Sequence, residues 1–166
     1  MNLLKASYSL VGTYKRIVQS VSAAALAIAV LGGGPAYAAD PTGDWLTENR
    51  LAVIRIEKCE EEALCGAIAW VKTPGTDRNN PDPAKRNIDV VGLPILLGMK
   101  LVSENRWEGQ VYNAENGKNY LAYISLVKPD VLKIKGCVFG GLFCGGENWT
   151  RQTEPMPPMP PAASVE

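Results

Sequence analysis

Histidine is absent from the 166 residues, which removes the commonest general base and the commonest metal ligand together. Phenylalanine occurs only twice, and aromatic residues as a group make up just 7% of the chain. No Cys-x-x-Cys pair is present, so the thioredoxin-type redox motif and the usual zinc knuckle are both missing. Helical apolar stripes are also lacking, and no internal repeat recurs along the chain. Ser103 and Ser125 sit in no G-x-S-x-G elbow, and the acidic run Glu60, Glu61 and Glu62 reads as a solvated turn. These absences lead us to expect neither an enzyme nor a metal or cofactor protein.

The N-terminal segment is distinctive. Lys5, Lys15 and Arg16 give it a basic start, residues 21–31 are apolar and uncharged, and Gly32, Gly33, Gly34 and Pro35 follow. Ala36-Tyr37-Ala38 then supplies the small residues that signal peptidase requires. Eleven apolar residues fall short of the roughly 20 that span a bilayer, so residues 1–38 are expected to be a cleaved signal peptide rather than an anchor. The expected location is periplasmic or secreted. Cleavage removes three of the 17 basic residues and none of the 17 acidic ones, leaving 14 against 17, a net charge of −3. That balance argues against nucleic acid or an anionic membrane surface as partner.

Four cysteines remain, at Cys59, Cys65, Cys137 and Cys144. An even count in an exported chain points to disulfides, and three pairings are possible. Spacing favours Cys59–Cys65 and Cys137–Cys144, each bracketing a short segment between two expected strands. At the other end, residues 153–166 hold five prolines and little to bury, so a Pro-rich disordered tail is expected.

Between these ends, at residues 39–152, apolar and polar residues alternate with period two, broken by Gly, Pro, Asn and Asp clusters. Leu132 and Ile134 alternate with Lys133 and Lys135, while Tyr120, Ala122, Ile124 and Leu126 share one face. Trp107, Gly109 and Val111 share another, as do Ile54 with Ile56, Ile68 with Trp70, and Ile95 with Leu97, Met99 and Leu101. Adding strands around Trp45 and Trp149 gives about eight in sequence order. Lys128-Pro129-Asp130 and Asn116-Gly117 mark two reversals. With no helix to cover a sheet, closure removes the exposed edges. The expected fold is all-β, an eight-stranded antiparallel up-and-down barrel, with an open sandwich second.

The exception to short connections is residues 73–91, a polar segment with three prolines. Its Asp77, Asn79, Asn80 and Asp82 carry oxygen ligands but not calcium-loop spacing, so turn chemistry is the better reading. The segment is still the first place to look for a binding edge. Trp70, Trp107, Tyr112, Tyr120 and Tyr123 are candidates for lining a cavity, against the alternative of plain core. Gly43-Asp44-Trp45 opens the first strand and Trp149-Thr150-Arg151 closes the last. In a closed barrel Arg151 would lie across the Trp45 ring.

The G-x-W start and the terminal arginine resemble lipocalin-like barrels. A broader resemblance is to the bacterial exported family called domain of unknown function 2147. It is carried by Gly43-Asp44-Trp45, Cys59 and Cys65 before Gly66, and Asp77-x-Asn79-Asn80-Pro81-Asp82. Gly92-Leu93-Pro94-Ile95, Trp107-Glu108-Gly109-x-Val111-Tyr112, Gly117-Lys118-x-Tyr120 and Trp149-Thr150-Arg151 continue it. Where that family usually reads Tyr-Asp-Pro, this chain has Tyr112-Asn113-Ala114. The resemblance implies a lipocalin-like barrel in the periplasm and implies no activity. The expected function is binding of a small apolar or amphipathic ligand. The rival is a protein-interaction module resembling a protease inhibitor, gripping a periplasmic protein through residues 39–42 or the long connection.

Overall fold

The computed structural model describes residues 40–60 and 62–159; the expected signal peptide, Glu61 and the last seven residues lie outside them. Eight strands follow one another in sequence order and close into an antiparallel barrel: β1 (Gly43–Leu46), β2 (Ala52–Glu60), β3 (Ala63–Val71), β4 (Pro94–Ser103), β5 (Arg106–Asn113), β6 (Lys118–Lys128), β7 (Val131–Val138) and β8 (Phe143–Arg151). Closure is made where Trp45 of β1 stands opposite Arg151 of β8. The meander is the architecture that period-two alternation calls for, because each strand has one apolar face to bury and no helix to bury it against. Residues 152–159, beyond β8, carry neither helix nor strand.

Two disulfides pin neighbouring strands, Cys59–Cys65 across the β2–β3 reversal and Cys137–Cys144 across β7–β8. In the second pair the cysteines are directly opposed in the ladder, with Cα atoms 4.1 Å apart. Each closes a short loop, a constraint on the unfolded chain worth about 2 kcal/mol.

The two ends of the barrel are built differently. One end receives the start of β1 and the β2–β3, β4–β5 and β6–β7 turns, and it is filled. Ile56, Leu64, Met99, Trp107, Ile124, Leu126 and Leu132 are buried there with Trp45. Arg151 seals it, its guanidinium 4.2 Å from the centre of the Trp45 ring. Three of its nitrogens donate to backbone carbonyls of Pro129, Thr42 and Asp40, and the Trp45 indole donates to Pro41 O at 2.8 Å. Gly43 belongs to this seal: a Cβ there would stand 3.0 Å from the Arg151 guanidinium, at a φ of +115°.

Two bulges turn side chains away from the faces that simple alternation assigns. In β3, Val53 pairs with Trp70 and Ile54 with Ile68, so Ala69 is an extra residue. Trp70 therefore moves to the outer face opposite Val53, and Val71 takes the inward position. In β4, Gly98 at φ +56° takes up a similar extra residue; Leu96 and Met99 are buried, while Leu97 turns outward and Leu101 is exposed.

The outer wall carries Arg55, Glu57, Lys100, Glu108, Lys133 and Lys135, with Arg55 paired to Asp44 and Arg106 stacked on Tyr123. Such a wall is the opposite of the apolar band that a membrane-spanning barrel presents to lipid. Among the described residues no helix is long and apolar enough to cross a membrane.

Candidate functional site

At the end opposite the Arg151 seal, the barrel interior opens as a cavity of about 1010 Å³. Its wall is apolar: Ile54, Ile68, Ile95, Val111 and Ile134 project into it, with Trp149 among its lining residues. The registers explain why they converge. Ile54 pairs with Ile68, Val111 with Tyr120, and Ile134 with Glu147, so each pair shares the inward face of neighbouring strands. Small residues contribute to the open space. Gly136 and Gly145 stand opposite each other in the wall, and Ala52 lines it from β2.

Polar groups line the rim and part of the wall. Tyr120 projects inward and its hydroxyl accepts a hydrogen bond from Asn116 at 2.9 Å. Glu147, half-buried on the β8 wall, accepts the indole N–H of Trp149 two residues along the same face. Thr47 and Asn49 of the β1–β2 turn, Tyr112 and Asn113 at the end of β5, and Glu115 of the β5–β6 turn complete the polar part.

The rim has one further feature. Both phenylalanines of the chain, Phe139 and Phe143, sit at the tip of the disulfide-pinned β7–β8 hairpin, 77% and 67% exposed. Their rings meet edge to face at 6.1 Å, and Leu142 beside them is 79% exposed. Phe139 holds a φ of +52°, in the left-handed region that non-glycine residues avoid. Leu142 and Phe143 extend the apolar lining out to the edge of the mouth.

The long connection, residues 72–93, is a strap folded against the outside of the barrel. Thr76 and Asp89 pair across it, Val90 N–H donates to Gly75 O, and Gly92 N–H donates to Ile68 O of β3. A turn of 3-10 helix at Pro83–Lys85 is capped by the Asp82 carboxylate. Asp77 is the anchor. It is 1% exposed, and its carboxylate accepts the Tyr112 hydroxyl at 2.9 Å and the Asn80 amide at 2.6 Å. Burial, and then the bond to Asp77, push the Tyr112 hydroxyl above its ordinary pKa of 10.0. Asn79 donates to the carbonyl of Glu115, tying the strap to the β5–β6 turn. That contact requires glycine at 117: a Cβ there would collide with Asn79 O, and its φ is +68°.

The residues singled out from sequence thus separate into three groups. Tyr120 lines the cavity, and Tyr112, on the outer face under the strap, reaches its lip. Trp107 and Trp70 do not line it. Trp107 is 7% exposed in the filled end, and the β3 bulge carries Trp70 to the outer face, where its buried indole N–H has no partner among the described residues. Tyr123 is outward as well, beneath Arg106. Asp77, Asn79, Asn80 and Asp82 form no common ligand set. Asp77 and Asn80 bond each other, Asn79 tethers the strap to Glu115 and Asp82 caps the 3-10 turn, and among the described residues no group of three Cys, Asp or Glu side chains converges as a metal site. Gly43, Trp45 and Arg151 form the seal at the far end.

Sequence reasoning missed Glu147. Its signal was present, since counting back by two from Trp149 places Glu147 on the same inward face. The isoleucines of the wall were legible as inward residues but not as lining an empty space.

No curated protein matches the sequence. Among solved structures, Protein HP1028 from the human pathogen Helicobacter pylori, described as belonging to the lipocalin family, is similar at 18% identity. That similarity has a TM-score of 0.63 and covers 69% of this chain and 84% of the other. At this identity the likeness establishes the fold alone, an eight-stranded lipocalin-like barrel. A family model described as "Uncharacterized protein conserved in bacteria (DUF2147)" matches residues 43–151, from the glycine of the G-x-W start to the sealing arginine. The chain belongs to that bacterial family.

Proposed function

We propose that this protein is an exported binding barrel that takes a small apolar or amphipathic molecule into its open end, and that it acts by binding rather than catalysis. The observation that carries the reading is the open cavity of about 1010 Å³, walled by isoleucine, valine and tryptophan, with polar groups at its rim and on part of its wall. A filled barrel would have no such space, and an apolar pocket with a handful of polar groups near its mouth is the usual form of a small-molecule site. Export fits the two disulfides, which persist in oxidising compartments, and the N-terminal sequence. The likeness to a lipocalin-family structure is consistent with it.

Native mass spectrometry of protein isolated from the periplasm tests the reading. The expected result is a bound mass that is lost on organic extraction and regained with the extract. A chain that carries nothing and shows no saturable uptake of any apolar fluorophore would count against it.

The rival interaction-module reading draws support from the exposed tip at Phe139, Leu142 and Phe143. The segments first expected to grip a partner are engaged elsewhere: the strap is anchored by Asp77, and the Asp40 and Thr42 carbonyls bind Arg151. A stoichiometric periplasmic partner that is lost on replacing Phe139 and Phe143 by serine would favour the rival.

A further inference from the structure

The cavity has a charge sign. Glu115 and Glu147 are the charged residues among its lining, and no lysine or arginine joins them. Glu115 is an exposed residue of the rim turn, whereas Glu147 is half-buried on the wall itself. Lys133 and Lys135 flank Ile134, the residue paired with Glu147, and alternation turns both to the outer face. Among the described residues the carboxylate therefore has no cationic partner where it faces the cavity. One of its oxygens accepts from the Trp149 indole, which fixes its direction, and among the described residues no donor meets the other. Aromatic side chains Tyr120, Phe143 and Trp149 line the same cavity, offering the electron-rich faces to which cations are drawn.

We propose that the cavity selects cationic amphiphiles: an apolar tail in the isoleucine-lined space and an ammonium-type headgroup paired with Glu147. This deepens the binding reading above and rests on it. The physical reason is asymmetric. A fatty acid would bring a second carboxylate beside Glu147, and like charges at that distance repel. An alcohol gains neither that penalty nor an ion pair. An ammonium group, including a quaternary one with no N–H to donate, gains Coulombic attraction to a carboxylate already oriented by the indole.

The test measures affinities of the full disulfide-bonded chain for dodecyltrimethylammonium, dodecanol and dodecanoate, below their micellar concentrations, by quenching of tryptophan fluorescence and by calorimetry. The expected order is the ammonium first, about tenfold or more above the alcohol, with dodecanoate weakest. Glu147→Gln keeps an acceptor for the Trp149 indole while removing the charge. It is expected to bring the ammonium down to the alcohol's affinity, with an unchanged thermal unfolding midpoint as the folding control. Should that variant lose dodecanol too, salt dependence in the natural chain decides. The ammonium's affinity must fall with ionic strength while the alcohol's does not.

Equal affinities for all three probes, or dodecanoate binding most tightly, overturn the charge preference and leave the binding reading standing. Saturable binding of none of them overturns both.

Discussion

The filled end and the open end of this barrel use the same strands and opposite packing. At the sealed end, Trp45, Trp107, Met99, Ile124 and Leu132 occupy the interior, and Arg151 closes it with a ring contact and three carbonyl bonds. At the mouth, the positions one or two pairs further along are isoleucine, valine, alanine and glycine, and the space between them stays open. The difference teaches that interior packing changes along the barrel axis. The buried core runs through both halves, since Ile54, Ile68, Ile134 and Trp149 of the cavity wall belong to it, and the mouth is where the interior opens.

Mutations should therefore cost more at the sealed end. Trp45→Ala is expected to be the most damaging, at about 3–5 kcal/mol, because it empties a fully buried ring and leaves Arg151 without its partner. Chemical denaturation measures this, and a loss below 1 kcal/mol, at about the level of an innocuous surface change, would break the comparison. A sharper version pairs two isoleucines. Ile124→Ala, fully buried in the filled end, should cost about 2–5 kcal/mol, whereas Ile134→Ala, 7% exposed and lining the mouth cavity, should fall at the low end of that range, about 2 kcal/mol, and change ligand affinity as well. Equal losses would mean that the mouth is as tightly packed as the seal.

Replacing Cys137 and Cys144 by alanine removes the constraint behind the rim hairpin and should lower stability by about 2 kcal/mol. Hydrogen exchange is expected to rise most at residues 138–143, where the exposed rings sit, and uniform acceleration around the barrel would contradict a local role.

Tyr112→Phe removes the donor to Asp77 and leaves a buried carboxylate short of a partner, a cost of about 1–3 kcal/mol read as faster exchange in the strap. The same pair gives a pH signature. The Tyr112 hydroxyl holds its proton more tightly when folded, so its contribution is present below the ordinary pKa of 10.0 and disappears as pH rises through the higher folded value. Strap protection should thus fall on the alkaline side in the natural chain, while Tyr112→Phe lacks this step. An identical alkaline profile in both would remove Tyr112 as the cause.

Much of this is legible in the sequence. Leu132 and Ile134 against Lys133 and Lys135 announced a strand with one buried face, and Gly43-x-Trp45 with Arg151 announced how the first and last strands meet. Trp70 was misread because a bulge at Ala69 changes the face of every residue beyond it, and alternation cannot reveal an inserted residue. Leu97 was misassigned for the same reason at Gly98. Trp107 was legible as inward but not as belonging to the filled end, since its height along the axis depends on the stagger between strands. Asp77 was noticed for its oxygens, yet its role as an anchor required Tyr112, 35 residues away.

By itself the sequence determined the strand order, the disulfide spacing and which face of most strands is apolar, because these follow from neighbours two to seven residues apart. Tertiary structure alone decided that the interior is sealed at one end and opens to a mouth at the other, and that the strap lies outside the mouth. Whether space is filled depends on side chains from distant strands meeting at one height, and no local pattern carries that information. The placement of Glu147 shows both parts at once: alternation turns it inward, and only the closed barrel gives it an apolar cavity to face.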